Sequence, residues 1–116
     1  MNYPLYGQHL LMTGLVPALP TEARMHEVLS LLRDAMDMEE IGRSVYVFPD
    51  RVLAYLVWAD SHCAFHLYAA PALSYSEAFC CKPFDSDKVR AYIADWLRME
   101  ITYSGVLSRS GEGVEA

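Results

Sequence analysis

The spacing of apolar and polar positions changes several times along the chain, and each change marks an element. Residues 7–13 (GQHLLMT) mix polar and apolar side chains and read as a first strand. Pro17 and Pro20 punctuate the loop that follows. Thr21 then stands where a helix N-cap is wanted, with Glu22 in the first turn to suit the helix dipole. From Met25 the apolar positions Val28, Leu29, Leu31, Leu32, Ala35 and Met36 recur at three- and four-residue spacings, which predicts an amphipathic helix ending near Met38. Residues 44–48 (SVYVF) are β-branched and aromatic, Pro49-Asp50 makes a turn, and residues 52–59 (VLAYLVWA) form an apolar run of buried-strand length. Two more strands follow over residues 62–70 and 75–81. Asp85-Ser86 opens a second helix, with Val89, Ala91, Tyr92, Ile93, Trp96 and Leu97 as its apolar face, and residues 101–106 read as an edge strand.

The resulting order, β-α-β-β-β-β-α-β, predicts an α+β fold: a two-layer sandwich with a mostly antiparallel sheet and two helices on one face. Helices cover only one sheet face in such a fold, so further burial of the dense apolar strands points to a homodimer. Residues 1–107 read as a single domain, and the Ser/Gly/Glu-rich residues 108–116 as a flexible tail.

Composition narrows the function. Apolar residues make up 53% of the chain, enough for a core without metal or disulfide staples. No apolar run reaches the roughly 18 residues of a membrane span, and residues 1–6 carry no basic signal-peptide start, so a cytoplasmic protein is expected. Nine basic residues against fifteen acidic ones, with no Arg/Lys stripe, argue against nucleic acid as a partner. The net charge of −6 is compatible with a cationic small molecule. The cysteines, Cys63, Cys80 and Cys81, are odd in number and two are adjacent, which does not fit a secreted disulfide framework. No CxxC pair exists; Cys63 and Cys80 fit the ordinary role of small buried hydrophobes. His62 and His66 share a side of one strand, but four residues span about 13 Å, too far for joint ligation of one ion, so no metal is expected. His9 and His26 read as ordinary strand and helix residues, and Tyr92 and Trp96 as core.

The unusual segment is residues 58–66 (WADSHCAFH), where a polar Asp-Ser-His step sits between two apolar strands. A tight turn is its ordinary reading. It also has chemical capacity. The Ser61 hydroxyl can attack the carbonyl of Asp60 to give an ester; elimination then cuts the chain, leaving a dehydroalanine that hydrolyses to a pyruvoyl group. That sequence needs a strained junction, a base and an oxyanion donor. His66, five residues along the strand, is a candidate base. The ketone so formed can capture a substrate amine and act as the electron sink that pyridoxal phosphate provides elsewhere.

The stretch Asp60-Ser61-His62-Cys63-Ala64-Phe65-His66-Leu67-Tyr68 resembles the short bacterial S-adenosylmethionine decarboxylases, whose Glu-Ser-His-x-x-x-His-x-aromatic motif follows an apolar strand. Gly7-Gln8-His9-Leu10 is similar to that family's opening Gly-Arg-His-Leu strand, and Glu77-Ala78-Phe79-Cys80-Cys81 to its Asp-Leu-Phe-Thr-Cys strand. Ser61 and Cys81 keep the family's separation. The resemblance covers roughly residues 6 to 98. It implies self-cleavage of a zymogen between Asp60 and Ser61, a pyruvoyl cofactor derived from Ser61, help in cleavage from His66, and protonation of the product carbon by Cys81. It further implies an adenine-stacking role for Tyr68, and a homodimer with both protomers near the substrate. On the same ground Phe48 and Glu77 are candidate substrate-binding residues. The implied reaction is decarboxylation of S-adenosylmethionine for spermidine synthesis.

Four positions depart from the family pattern, one of them Val47, which stands where an adenine-stacking Phe is usual, with Tyr46 and Phe48 adjoining it. Asp60 replaces Glu, Leu53 stands where a second serine is usual, and Pro71-Ala72 replaces the Pro-Glu whose carboxylate is expected to hold the ribose. Two alternatives therefore stand beside the first reading. One is the same pyruvoyl chemistry on arginine or ornithine. The other is an unprocessed, non-catalytic homologue with a binding or regulatory role.

Overall fold

The computed structural model describes residues 6–110. Its elements are β1 (Tyr6–Leu15), α1 (Glu22–Ala35), β2 (Glu40–Val47), β3 (Arg51–Trp58), β4 (Ser61–Tyr68), β5 (Leu73–Cys80), α2 (Ser86–Leu97) and β6 (Glu100–Ser110). The six strands form one antiparallel sheet in the order β2-β3-β4-β5-β1-β6. β2 to β5 are a meander; β1 enters beside β5, and β6 closes on β1. The α+β sandwich expected from the element order is the one observed.

Both helices start where the sequence provides caps. The Thr21 hydroxyl accepts from the Arg24 backbone N–H at 3.1 Å, and the Asp85 carboxylate from that of Lys88 at 3.1 Å. α2 stops at Arg98, which takes a left-handed conformation with φ 52°. Met25, Val28, Leu29 and Leu32 of α1 and Val89, Ile93 and Leu97 of α2 are buried against the sheet. They meet Leu10, Met12, Val52, Ala54, Leu56, Cys63, Phe65 and Leu67, the alternate positions that face the helices. Arg43 of β2 pins α1 to the sheet edge by donating to the His26 carbonyl, the Ser30 hydroxyl and the Glu40 carboxylate. Hydrogen bonding to Arg43 holds the Glu40 carboxyl below its ordinary range, against the opposing effect of desolvation.

A bulge lies between Thr13 and Gly14, where β1 shifts register against β6. A Cβ at Gly14 would come within 2.7 Å of the Glu100 carbonyl oxygen, so only glycine admits the β6 backbone this closely.

The sheet's second face has no helix on it, and this corrects several expectations. Residues 51–58 are not a strand buried on both sides: Val52, Ala54, Leu56 and Trp58 are buried while Val57 is exposed. The first half of β5 reverses the usual polarity. Ser74 and Ser76 face the core, their hydroxyls buried without hydrogen-bond partners, while Tyr75 on the open face is half exposed. On α2 only every fourth residue, Val89, Ile93 and Leu97, is fully buried. Tyr92, expected among them, is exposed and stacks on the half-buried Trp96 with ring centroids 5.2 Å apart. The last strand runs to Ser110 and takes in the start of the segment expected as tail; residues 111–116 lie outside the described residues. Among the described residues no helix is long and apolar enough to cross a membrane.

Phe65 sits at the centre of the sheet with no exposed surface. Phe65→Ala leaves a cavity under both helices, and is expected to cost about 3–5 kcal/mol of unfolding free energy. Urea titration should show the midpoint falling with little change in slope.

Candidate active site

The sequence places Ala59 and Asp60 between the last residue of β3 and the first of β4. Because Trp58 pairs with Ser61, those two residues are the whole hairpin loop. Such a loop needs positive φ, and here Asp60 supplies it, with φ 60° on a residue that carries a Cβ. Holding a non-glycine residue there costs about 1 kcal/mol. The strain falls on the residue whose carbonyl belongs to the expected scissile bond.

Ser61 is 5% exposed, and its hydroxyl is held: the backbone N–H of Cys81 donates to Ser61 Oγ at 3.1 Å. Thus β5 delivers Cys81 to Ser61 across twenty positions of sequence, and the Cys81 thiol is exposed. Of the expected residues, Asp60, Ser61 and Cys81 are brought together at one end of the sheet.

His66 is not brought to them. It lies five residues from Ser61, an odd number, so the two side chains leave opposite faces of β4. The span along the strand is about 17 Å. His66 instead faces Tyr55, whose hydroxyl lies 3.4 Å from its Nε2, and it sits opposite Leu53 on β3. Tyr68 is farther still from Ser61, packed edge-on to Tyr75 with centroids 6.3 Å apart. Phe48 lies beyond β2 at that same far end of the hairpin, with the Arg51 guanidinium 4.4 Å above its ring. Asp60, Ser61 and Cys81 therefore lie at one end of the sheet, and His66, Tyr68 and Phe48 toward the other.

Glu77 lies on the open face between two imidazoles. His9 Nε2 is 3.1 Å from one carboxylate oxygen and His62 Nε2 3.2 Å from the other. Phe79 lies beneath the pair, stacked with His62 and edge-on to His9, both at 5.7 Å. A Cβ on Gly7 would come within 2.7 Å of the Phe79 ring, so that glycine makes room for it. Reading His9 as an ordinary strand residue missed this cluster. Its only sequence signal is that His9, His62 and Glu77 fall on outward positions of three strands. Farther along the same face, a cavity of about 370 Å³ is lined by residues including Thr13, His66, Tyr75, Glu77 and Tyr103. Among the described residues no group of three or more His, Cys, Asp or Glu is arranged to hold a metal ion.

The cysteines divide by environment. Burial pushes the Cys63 thiol up to about 12, which makes it a packing group and a poor nucleophile. Cys80 is also buried. A thiol reagent applied to the native protein should modify Cys81 alone, and all three cysteines after denaturation. Peptide mapping of the adducts checks this.

No family model matches the chain, and no curated protein matches it. Among solved structures, the adenosylmethionine decarboxylase from Aquifex aeolicus VF5 superposes with a TM-score of 0.71 at 17% sequence identity, covering 93% of this chain and 92% of that one. At that identity the likeness is one of fold.

Proposed function

We propose that this chain is a pyruvoyl-dependent decarboxylase that cuts itself between Asp60 and Ser61 and acts on S-adenosylmethionine. The observation that carries the reading is the junction itself: a left-handed Asp60 in a two-residue loop, followed by a buried serine whose Oγ is fixed by the Cys81 N–H. The solved decarboxylase of the same fold adds weight at the level of architecture.

These residues fit the chemistry of cleavage. Ser61 Oγ attacks the Asp60 carbonyl carbon, and the amide nitrogen takes up a proton as the ester forms. A base removes the Ser61 Cα proton, and the Asp60 carboxylate leaves with the former Oγ. Water then replaces the nitrogen at residue 61, releasing ammonia. Cys81 N–H and the pairing of β4 with β3 and β5 would hold a pyruvoyl group at this position. Once formed, that group supplies an electron sink for loss of carbon dioxide from a bound amino acid. The exposed Cys81 thiol, next to residue 61, is the proton donor to the product carbon.

The separation of Tyr68 and Phe48 from Ser61 along the strands is bridged by a homodimer. Two open faces packed with their strands running in opposite senses bring the far end of one protomer over the Ser61 end of the other. The open face suits such burial: Tyr75, Tyr103, Val57 and Leu107 are all at least 45% exposed on it. In this arrangement Tyr68 and Phe48 offer rings to an adenine at the Ser61 end of the second copy, while His66 stays on the sheet face opposite the Ser61 hydroxyl. Carbon dioxide release from S-adenosylmethionine, and none from arginine or ornithine, is the expected assay result. Release from arginine or ornithine alone would move the substrate to a basic amino acid.

One observation favours the non-catalytic reading. Leu53, cross-strand neighbour of His66, puts an alkyl group where a hydroxyl would assist processing. A chain that never cuts itself but still binds S-adenosylmethionine would establish that reading.

A further inference from the structure

The His9–Glu77–His62 cluster is built from three strands and is not used by the cleavage chemistry above. An ionised carboxylate only accepts hydrogen bonds. With one imidazole Nε2 on each oxygen, at 3.1 and 3.2 Å, both rings must donate from Nε2. Each neutral ring is then the Nε2–H tautomer, with its lone pair on Nδ1. Neither Nδ1 has a hydrogen-bond partner among the described residues. The Phe79 ring fixes the planes of both imidazoles from below.

The place of the cluster gives it a purpose. His62 is bonded directly to Ser61, and Glu77 and Phe79 lie on the strand that ends at Cys80, one residue before Cys81. Cleavage after Asp60 would free residue 61 on its N-terminal side and remove the Oγ that Cys81 N–H holds. From then on, position 61 depends more heavily on what holds its neighbour His62, by its side chain as well as by the pairing of β4. We propose that Glu77 is a positioning residue. By locking the tautomer and orientation of His62, with His9 as the second donor, it keeps residue 61 in register with Cys81. It also leaves a basic ring nitrogen free beside the reacting position. The positioning of a cut chain rests on the pyruvoyl reading; the tautomer lock does not.

The test therefore starts from the full-length Ser61→Ala chain, which carries the cluster whether or not the wild-type chain cuts itself. Long-range proton–nitrogen correlation spectra at about pH 8.5, where an ordinary imidazole is neutral, should show His9 and His62 both as Nε2–H. Adding Glu77→Gln offers one acceptor oxygen and one N–H donor in place of two acceptors. One of the two imidazoles should then switch to the Nδ1–H tautomer. Adding His9→Phe instead should leave His62 as Nε2–H, which separates loss of the lock from loss of the fold. Unchanged tautomers in the Glu77→Gln chain, or a His62 that is Nδ1–H from the start, overturn the proposal. In the chain with Ser61 intact, Glu77→Gln should lower kcat by about 10²-fold with KM little changed. A rise in KM at constant kcat would instead make Glu77 a plain substrate contact and overturn the positioning role. If the wild-type chain proves uncut, the pyruvoyl reading fails, and the tautomer spectra still decide whether Glu77 locks the imidazoles.

Discussion

Ser61→Ala is expected to give a folded protein that never cuts itself and releases no carbon dioxide from any amino acid substrate. The loss should be complete, because the hydroxyl is at once the nucleophile and the atom that carries the chain away in elimination. Folding should survive. The substitution removes one hydrogen bond, from the Cys81 backbone N–H, worth about 1 kcal/mol. The strained Asp60 remains, since the two-residue loop is set by the pairing of Trp58 with residue 61. The check is denaturing mass spectrometry beside a melting curve. A Ser61→Ala chain that still cleaves at this junction would contradict the assignment of the nucleophile.

Cys81→Ala is expected to separate processing from turnover. The hydrogen bond that orients Ser61 comes from the Cys81 backbone, which alanine retains. Cleavage should therefore proceed at close to its normal extent. The thiol is lost, and with it the proton donor, so kcat should fall by about 10² to 10⁴. Single-turnover carbon dioxide release, measured on a sample shown by mass to be fully cleaved, isolates that step. Full activity in Cys81→Ala would remove the thiol from the mechanism, and failure to cleave would give the side chain a part in processing.

Much of the architecture was legible because each element signals itself locally. Thr21 and Asp85 mark helix starts by chemistry confined to one turn, and Val28, Leu29 and Leu32 mark a buried face by spacing alone. The faces of the sheet were harder. In the first half of β5 the buried positions are Ser74 and Ser76 and the outward ones include Tyr75, so local polarity there gives the opposite sense. That inversion follows from the open face, which carries aromatic side chains outward. The site was legible in part. The juxtaposition of Ser61 with Cys81 was expected from the family resemblance and is what the β4–β5 pairing delivers. The placement of His66 on the face opposite Ser61 follows from the odd spacing between them. The Glu77 cluster could not be read in advance. It depends on the register of β1 and β4 against β5, which no local pattern encodes.

The central claim is that the strained junction is a cleavage site. Intact mass spectrometry of the purified wild-type chain under denaturing conditions, after long incubation, tests it most directly. The account predicts two fragments: one ending at Asp60, and one beginning at residue 61 with a pyruvoyl group in place of serine. A single mass for the uncut 116-residue chain, unchanged with time, would contradict it.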